Sequence, residues 1–81
     1  MKVLSRVFAQ AIKVCLAEHQ MSQGELAKKI GYSEQQVSRW ANCVGYPKTQ
    51  ALIALAFAFD MPLSEFVAKG EESVKKMANK G

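Results

Sequence analysis

Apolar residues recur along the chain at the three- and four-residue spacing of one helix face, and no stretch sustains the two-residue period of a strand. In segment 3–19, six apolar residues fall within an arc of about 140° when plotted at 100° per residue. They are Leu4, Val7, Phe8, Ala11, Ile12 and Cys15. Lys2, Arg6 and Lys13 lie on the opposite side. This pattern predicts a first helix with a single core-facing stripe.

Two serines mark the starts of the next two helices. Ser22 is followed three residues later by Glu25, and Ser33 by Gln36. Each pair has the spacing of a capping box, in which the serine hydroxyl accepts a backbone N–H and the longer side chain reaches back. Gly31 lies between them and has the position of a helix-ending glycine. The sequence therefore predicts two short helices joined by a tight turn.

We place these helices at about 22–30 and about 33–43, which is the arrangement of a helix-turn-helix. The second helix carries four apolar residues at the spacing i, i+3, i+4 and i+7, which predicts one buried stripe. They are Val37, Trp40, Ala41 and Val44.

Two further helices and a basic tail are predicted downstream. The fourth helix begins at Lys48 or Thr49 and ends near Phe59, with an apolar arc of about 200°. A short fifth helix follows Pro62 and is closed by Gly70. Residues 71–81 have few apolar positions, so they form either a short terminal helix or a frayed end. The predicted domain therefore covers residues 1–70, with 71–81 as its tail.

Composition narrows the function. The chain has 81 residues, enough for one domain, and its net charge of +4 favours anionic partners such as nucleic acid. Two cysteines do not form a disulfide framework. Polar residues interrupt the apolar start of the chain, and no run reaches the roughly 18 apolar residues of a membrane span. We therefore expect a cytoplasmic protein without a membrane partner.

No catalytic set is evident, because the chain has one histidine and no glycine-rich phosphate loop. The sequence predicts neither an enzyme nor a bound cofactor, metal or small-molecule substrate.

The outward side of the third helix carries the most informative residues. Measured from Val37, Gln35 lies at about 160°, Arg39 at about 200° and Asn42 at about 140°. Glu34, Gln36 and Ser38 flank them, so this face has no apolar residue. In the major groove, Arg forms hydrogen bonds with guanine, Gln and Asn with adenine, and Glu with cytosine. The face is therefore a candidate DNA-reading surface.

Two consecutive stretches of the chain carry a family resemblance: SQGELAKKIGYSEQQVSRWAN and, after it, YPKTQALIALAFAFDMPLSEFV. Together they resemble the Cro/CI-type (XRE) helix-turn-helix regulators of phages and bacteria. The resemblance covers about residues 4–67. Five residues occupy the family's characteristic places in the motif: Gln23, Ala27, Gly31, Val37 and Trp40. It implies an all-α, compact five-helix fold like that of lambda repressor, with the third helix in the major groove of operator DNA.

The resemblance also implies residue roles. The base-reading residues would be Glu34, Gln35, Ser38 and Arg39. The phosphate-binding residues would be Gln23, Ser33 and Asn42, with Ser33 touching the backbone or the first base. We add Lys48 to this set; it lies where the family commonly has a Ser or Thr helix cap. Glu34 lowers affinity for DNA unless it reads a cytosine amino group or pairs with Arg39.

The last two helices carry more apolar residues than one small core needs. A two-fold dimer interface is expected at Phe57, Leu63, Phe66 and Val67, alongside Ile53. Palindromic operators mirror such symmetry, and the family usually binds as dimers. The alternative is that the fourth helix is buried all round within the monomer.

The sequence thus predicts a sequence-specific transcriptional regulator, a Cro/CI-like repressor that binds a palindromic operator as a homodimer. One alternative is an antitoxin or other protein-interaction module on the same fold, whose tail becomes ordered on its partner. Another is a metal- or thiol-responsive switch that uses Cys15, His19 and Cys43.

Overall fold

A computed structural model describes residues 2–78 of the chain. This part forms five helices and measures 36 × 23 × 22 Å along its principal axes. The helices are α1 Lys2–Glu18, α2 Gln23–Ile30, α3 Glu34–Ala41, α4 Thr49–Ala58 and α5 Leu63–Ala78. The predicted all-α, five-helix class is confirmed.

The ends of α2 follow from the signals in the sequence. The Ser22 hydroxyl accepts the Glu25 N–H at 3.0 Å, and the Ser22 N–H donates to the Glu25 carboxylate at 2.9 Å. This capping box lowers the pKa of Glu25, chiefly through the hydrogen bond from the Ser22 backbone. Gly31 adopts φ 77° and its N–H donates to the Ala27 carbonyl. A left-handed residue here suits glycine, which lacks a Cβ, and turns the chain sharply toward α3.

The start of α3 is capped on one side only. The Ser33 hydroxyl accepts the Gln36 N–H at 3.1 Å, as expected. Within residues 2–78, the Gln36 side chain makes no return hydrogen bond to Ser33, so the predicted second capping box is half formed.

The end of α3 differs from the prediction. The helix stops at Ala41 rather than near residue 43, and Cys43 takes a left-handed φ of 64°. Val44 therefore no longer follows the helical spacing, and it is 48% exposed rather than part of the buried stripe. Leu4, in the first turn of α1, is also exposed despite its place in the predicted core stripe.

The prediction that Gly70 ends the fifth helix is wrong. The helix runs through residue 70 to Ala78, so the predicted tail begins as a direct continuation of α5. Gly70 is buried against α1, where its missing side chain lets the two backbones approach. A glycine at a close helix contact gives the same signal in the sequence as a helix-ending glycine.

The core lies where α1 and α5, which run antiparallel, meet the helix-turn-helix and α4. Lys69 pairs with Glu18 at 3.0 Å, and Ser73 donates to Gln10 at 3.0 Å, which fixes the register of α5 on α1. The largest completely buried side chains are Phe59, Phe66, Ile12, Leu26, Leu55 and Val37, together with Pro47 and Cys15. The core thus supports α3 from behind and leaves its opposite face to solvent.

Candidate nucleic-acid interface

The predicted base-reading residues share the outer face of α3, which we call the recognition face: Glu34, Gln35, Ser38 and Arg39. Glu34, Gln35 and Arg39 are exposed, and Ser38 is half-buried. The opposite side of the helix, with Val37, Trp40 and Ala41, is buried in the core. Such a helix presents polar side chains on a rigid support, as groove reading requires.

Trp40 belongs to that support. It is buried, and its ring lies 5.3 Å from the ring of Tyr32 in an edge-on arrangement. Tyr32 lies in the turn between α2 and α3. The aromatic pair therefore connects the turn to the buried side of α3.

Asn42, which caps the end of α3, is hydrogen-bonded to Ser38. Its side-chain amide donates to the Ser38 carbonyl at 2.8 Å and lies 3.4 Å from the Ser38 hydroxyl. The sequence predicts different roles for the two residues, base reading for Ser38 and phosphate binding for Asn42. The structure brings them together, because the Asn42 side chain is bound to the backbone of Ser38 at the last turn of α3.

The other three predicted phosphate-binding residues lie at helix starts. Gln23 is the first residue of α2, and Ser33 and Lys48 are the N-caps of α3 and α4. The N–H groups of a first helical turn have no partner within the helix and attract anions. Lys48 makes no side-chain cap, so its ammonium group and the uncapped start of α4 both favour an anion.

Tyr46 adjoins the predicted phosphate-binding residues, although the sequence pattern does not predict a role for it. It lies in the loop between α3 and α4, half-exposed, and its ring centroid is 6.3 Å from that of Phe8 in α1. It is two residues from Lys48 and is held on α1 rather than projecting freely. An aromatic residue directly before Pro47 was the only available signal, and it does not distinguish a core residue from a surface one.

Glu34 contacts the start of α2 rather than Arg39. A methyl group built onto Gly24 would lie 3.2 Å from Glu34 Oε1 and 3.5 Å from its Cδ. The side-chain ion pair found among residues 2–78 joins Lys69 to Glu18, and the suggested pairing of Glu34 with Arg39 is not formed. The carboxylate therefore lies beside the second residue of α2.

The residues expected at a dimer interface fall into two groups. Phe57 is 86% exposed and Ile53 is 54% exposed, one turn apart on α4. Leu63 and Val67 are half-buried. We call the exposed surface formed by Ile53, Phe57, Met61 and Pro62 the α4 patch; Phe57, Met61 and Pro62 line a shallow depression in it together with Asp60.

Phe66 must be removed from the expected interface. Its side chain has 0% exposure and stacks on Phe59, with ring centroids 6.2 Å apart and planes inclined by 13°. It therefore belongs to the monomer core, because a side chain without exposed surface cannot contact a partner.

The two thiols occupy different environments. Cys15 is buried, and its burial, together with nearby Glu18, raises the pKa of the thiol to about 11. Cys43 is exposed. His19 Nδ1 lies 3.0 Å from the Cys15 carbonyl oxygen. In the described part of the chain, no group of three or more His, Cys, Asp or Glu side chains is arranged to hold a metal ion.

No single helix within residues 2–78 is long and apolar enough to cross a membrane. The pair formed by Thr49–Ala58 and Leu63–Met77 meets the length and composition criteria jointly, with a bend of 91° between the two helices.

Comparison with known proteins identifies the fold and the family. The family model for the Cro/C1-type HTH DNA-binding domain matches residues 11–68. Among solved structures, the clp gene regulator ClgR from Corynebacterium glutamicum superposes with a TM-score of 0.86 at 16% sequence identity. The alignment covers 95% of this chain and 82% of that chain. No curated protein sequence matches the chain.

Proposed function

Because the chain belongs to the Cro/C1-type helix-turn-helix DNA-binding family, we propose that it is a sequence-specific transcriptional repressor that binds a palindromic operator as a homodimer. The observation that carries the proposal is the recognition face of α3. Its exposed residues are those that bond base edges, and its other side is fixed in the core. No catalytic role is proposed for any residue.

In this proposal, α3 enters the major groove with the recognition face toward the bases. Arg39 has a guanidinium fork that suits guanine O6 and N7, and Gln35 has an amide that suits adenine. Ser38 lies beside them on the same face, and its backbone carbonyl accepts a hydrogen bond from the Asn42 amide. These contacts supply the sequence preference.

The phosphate contacts orient the protein on the duplex. Gln23, Ser33 and Lys48 lie at the starts of three helices, where backbone N–H groups add to the side-chain donors. Asn42 completes this set at the end of α3. Such contacts carry affinity but no sequence information.

The α4 patch supplies the dimer contact. Phe57 and Ile53 are both exposed and lie one turn apart, so they form a contiguous apolar surface rather than a single exposed side chain, and such patches mark interaction sites. In this arrangement a two-fold axis relates the two α3 helices, each of which reads one half-site of the palindrome. Leu63 and Val67 contribute their exposed edges, whereas Phe66 supports the interface from within each monomer.

Repression then follows from occupancy. A dimer on an operator that overlaps a promoter excludes the polymerase, and occupancy depends on protein concentration through the dimer equilibrium. An antitoxin role is the competing class. It predicts tight binding to a protein partner, with affinity for DNA that depends on that partner.

A titration of duplex DNA from the regions flanking the protein's own gene tests the proposal. If each monomer binds about three to five phosphates, the logarithm of the association constant should fall with the logarithm of salt concentration with a slope of about −5 to −9 for a dimer. Lys48→Gln should reduce the magnitude of this slope by about one per bound monomer. Lys76→Gln, an equal charge change on exposed α5, is the matched control. A nearly flat salt dependence, or equal slopes for both variants, contradicts the phosphate assignment.

A further inference from the structure

The carboxylate of Glu34 and the start of α2 meet at a residue without a side chain. A Cβ at Gly24 would lie 3.2 Å from Oε1, 3.5 Å from Cδ and 3.8 Å from Oε2 of Glu34. Both carboxylate oxygens therefore lie beside the second residue of α2. Glu34 itself is the first residue of α3, so the contact joins the starts of the two helices of the motif.

The start of α2 still has N–H groups to offer an anion. The Ser22 hydroxyl accepts the N–H of Glu25, and the N–H of Leu26 donates to the Ser22 carbonyl. The N–H groups of Gln23 and Gly24 make no hydrogen bond to any other of residues 2–78. A helix start with free N–H groups attracts negative charge, whether it comes from a side chain or from a phosphate.

The proposed function places a DNA phosphate at this same helix start, next to Gln23. A phosphate and the Glu34 carboxylate then compete for one region of positive potential. In the described part of the chain no Lys or Arg side chain pairs with Glu34 to offset its charge. On a duplex that offers Glu34 no other partner, the two anions repel each other at short range.

We propose that Glu34 determines specificity by exclusion, penalising every duplex that gives its carboxylate no hydrogen-bond donor. Glu34 is exposed, so side-chain rotation can carry its carboxylate from Gly24 to the groove, where a cytosine amino group is a donor for it. An operator with cytosine at that position removes the competition, because carboxylate and phosphate each gain a partner. Selectivity then comes from reduced affinity for duplexes that lack this cytosine. The inference rests on the proposed function.

The first test compares Glu34→Gln with wild type on two duplexes, one selected by the wild-type protein from a random pool and one of scrambled sequence. Glu34→Gln should raise affinity for the scrambled duplex about fourfold for each bound monomer, because a repulsion between unit charges about 5 Å apart in water is removed. Affinity for the selected duplex should change less than about twofold, so the ratio between the two falls. Glu71→Gln, the same charge change on the exposed side of α5, should leave the ratio unchanged.

The second test uses Gly24→Ala, whose methyl group would lie 3.2 Å from Glu34 Oε1, tighter than an ordinary contact, so the flexible carboxylate must shift outward from the start of α2. Introduced into the wild-type protein, it should raise affinity for the scrambled duplex. Introduced together with Glu34→Gln, it should give no further gain, since no carboxylate remains to displace. This dependence on Glu34 separates displacement from a direct effect of the methyl group on DNA.

Two outcomes overturn the inference and can be told apart. If wild type prefers its selected duplex but Glu34→Gln raises affinity for both duplexes by the same factor, Glu34 acts only as a distant charge. If Gly24→Ala lowers affinity equally with and without Glu34, residue 24 contacts DNA directly and the competition does not exist. If wild type binds neither duplex, the proposed function fails and the inference fails with it.

Discussion

Gly70 of α5 lies directly against the backbone carbonyl of Val7 in α1. A Cβ at residue 70 would overlap that carbonyl oxygen and would also come within 3.0 Å of the Ala11 methyl group. Backbone atoms cannot move aside as the end of a flexible side chain can. The close approach of α1 and α5 therefore depends on the missing side chain.

Gly70→Ala should destabilise the protein by about 1–3 kcal/mol through this overpacking. The sign is informative, because glycine to alanine inside an exposed helix stabilises by about 1 kcal/mol. Urea unfolding followed by the fluorescence of Trp40, the single tryptophan, measures the change. Ala68→Gly at an exposed site two residues earlier is the control for helix propensity and should cost about 1 kcal/mol. A stabilised Gly70→Ala protein would show that α5 does not pack on α1 at this contact.

Gly70 also illustrates what the sequence could not determine. Capping signals at Ser22 and Gly31 act through hydrogen bonds and dihedral angles within a few residues, so α2 was predicted closely. The role of Gly70 depends on Val7, which is 63 positions earlier in the chain and is brought near only by the tertiary fold. The sequence therefore favoured the local meaning of a glycine.

The same limit explains the errors at α3 and at the expected dimer interface. The helical spacing predicts Val44 in the buried stripe, but the helix ends at Ala41 and the chain turns at Cys43. Phe66 and Phe57 both looked like surplus apolar residues. Which of them enters the core depends on how α4 and α5 cross, and a pattern on one helix does not contain that information.

Phe57 and Phe66 should respond differently to substitution. Phe57→Gln should leave the unfolding free energy of the monomer nearly unchanged and weaken self-association, since the side chain is 86% exposed. Phe66→Ala should cost about 3–5 kcal/mol in any oligomeric state, because it opens a cavity in the core. Sedimentation over a range of protein concentrations, with urea unfolding in parallel, separates the two effects.

Met77→Gln, a change of the same kind at another exposed apolar residue, is the control for Phe57→Gln and should not alter self-association. If wild type remains monomeric at high concentration and also on DNA, the α4 patch is not a dimer interface.

Glu25 should make stability depend on acid pH. Its folded-state pKa lies below the ordinary value of 4.5, because the Ser22 backbone N–H and hydroxyl form the capping box with it. A depressed carboxyl pKa stabilises the folded state above the unfolded pKa, and this contribution is lost as the pH falls through the folded pKa. The difference in unfolding free energy between wild type and Glu25→Gln should therefore shrink as the pH is lowered from 7 to below 4.5. A difference that stays constant over this range would mean that the Glu25 charge does not stabilise the cap.

Arg39 and Gln23 are expected to contact different parts of the DNA, the base edges and the phosphate backbone. Arg39 is exposed on the recognition face, and its fork suits guanine, whereas Gln23 starts α2 and is expected to bind a phosphate. Arg39→Ala should cost about 1–3 kcal/mol per half-site on the preferred operator and remove the preference at one base pair. Gln23→Ala should weaken binding to preferred and altered operators by a similar factor. Neither side chain is buried, so both variants should have an unfolding free energy close to that of wild type.

Titration of both variants against a panel of operators with single-base changes distinguishes these roles. If Arg39→Ala lowers every affinity equally, Arg39 binds the backbone and base reading falls to Glu34, Gln35 and Ser38. If Arg39→Ala leaves binding unchanged, α3 does not enter the groove with this face.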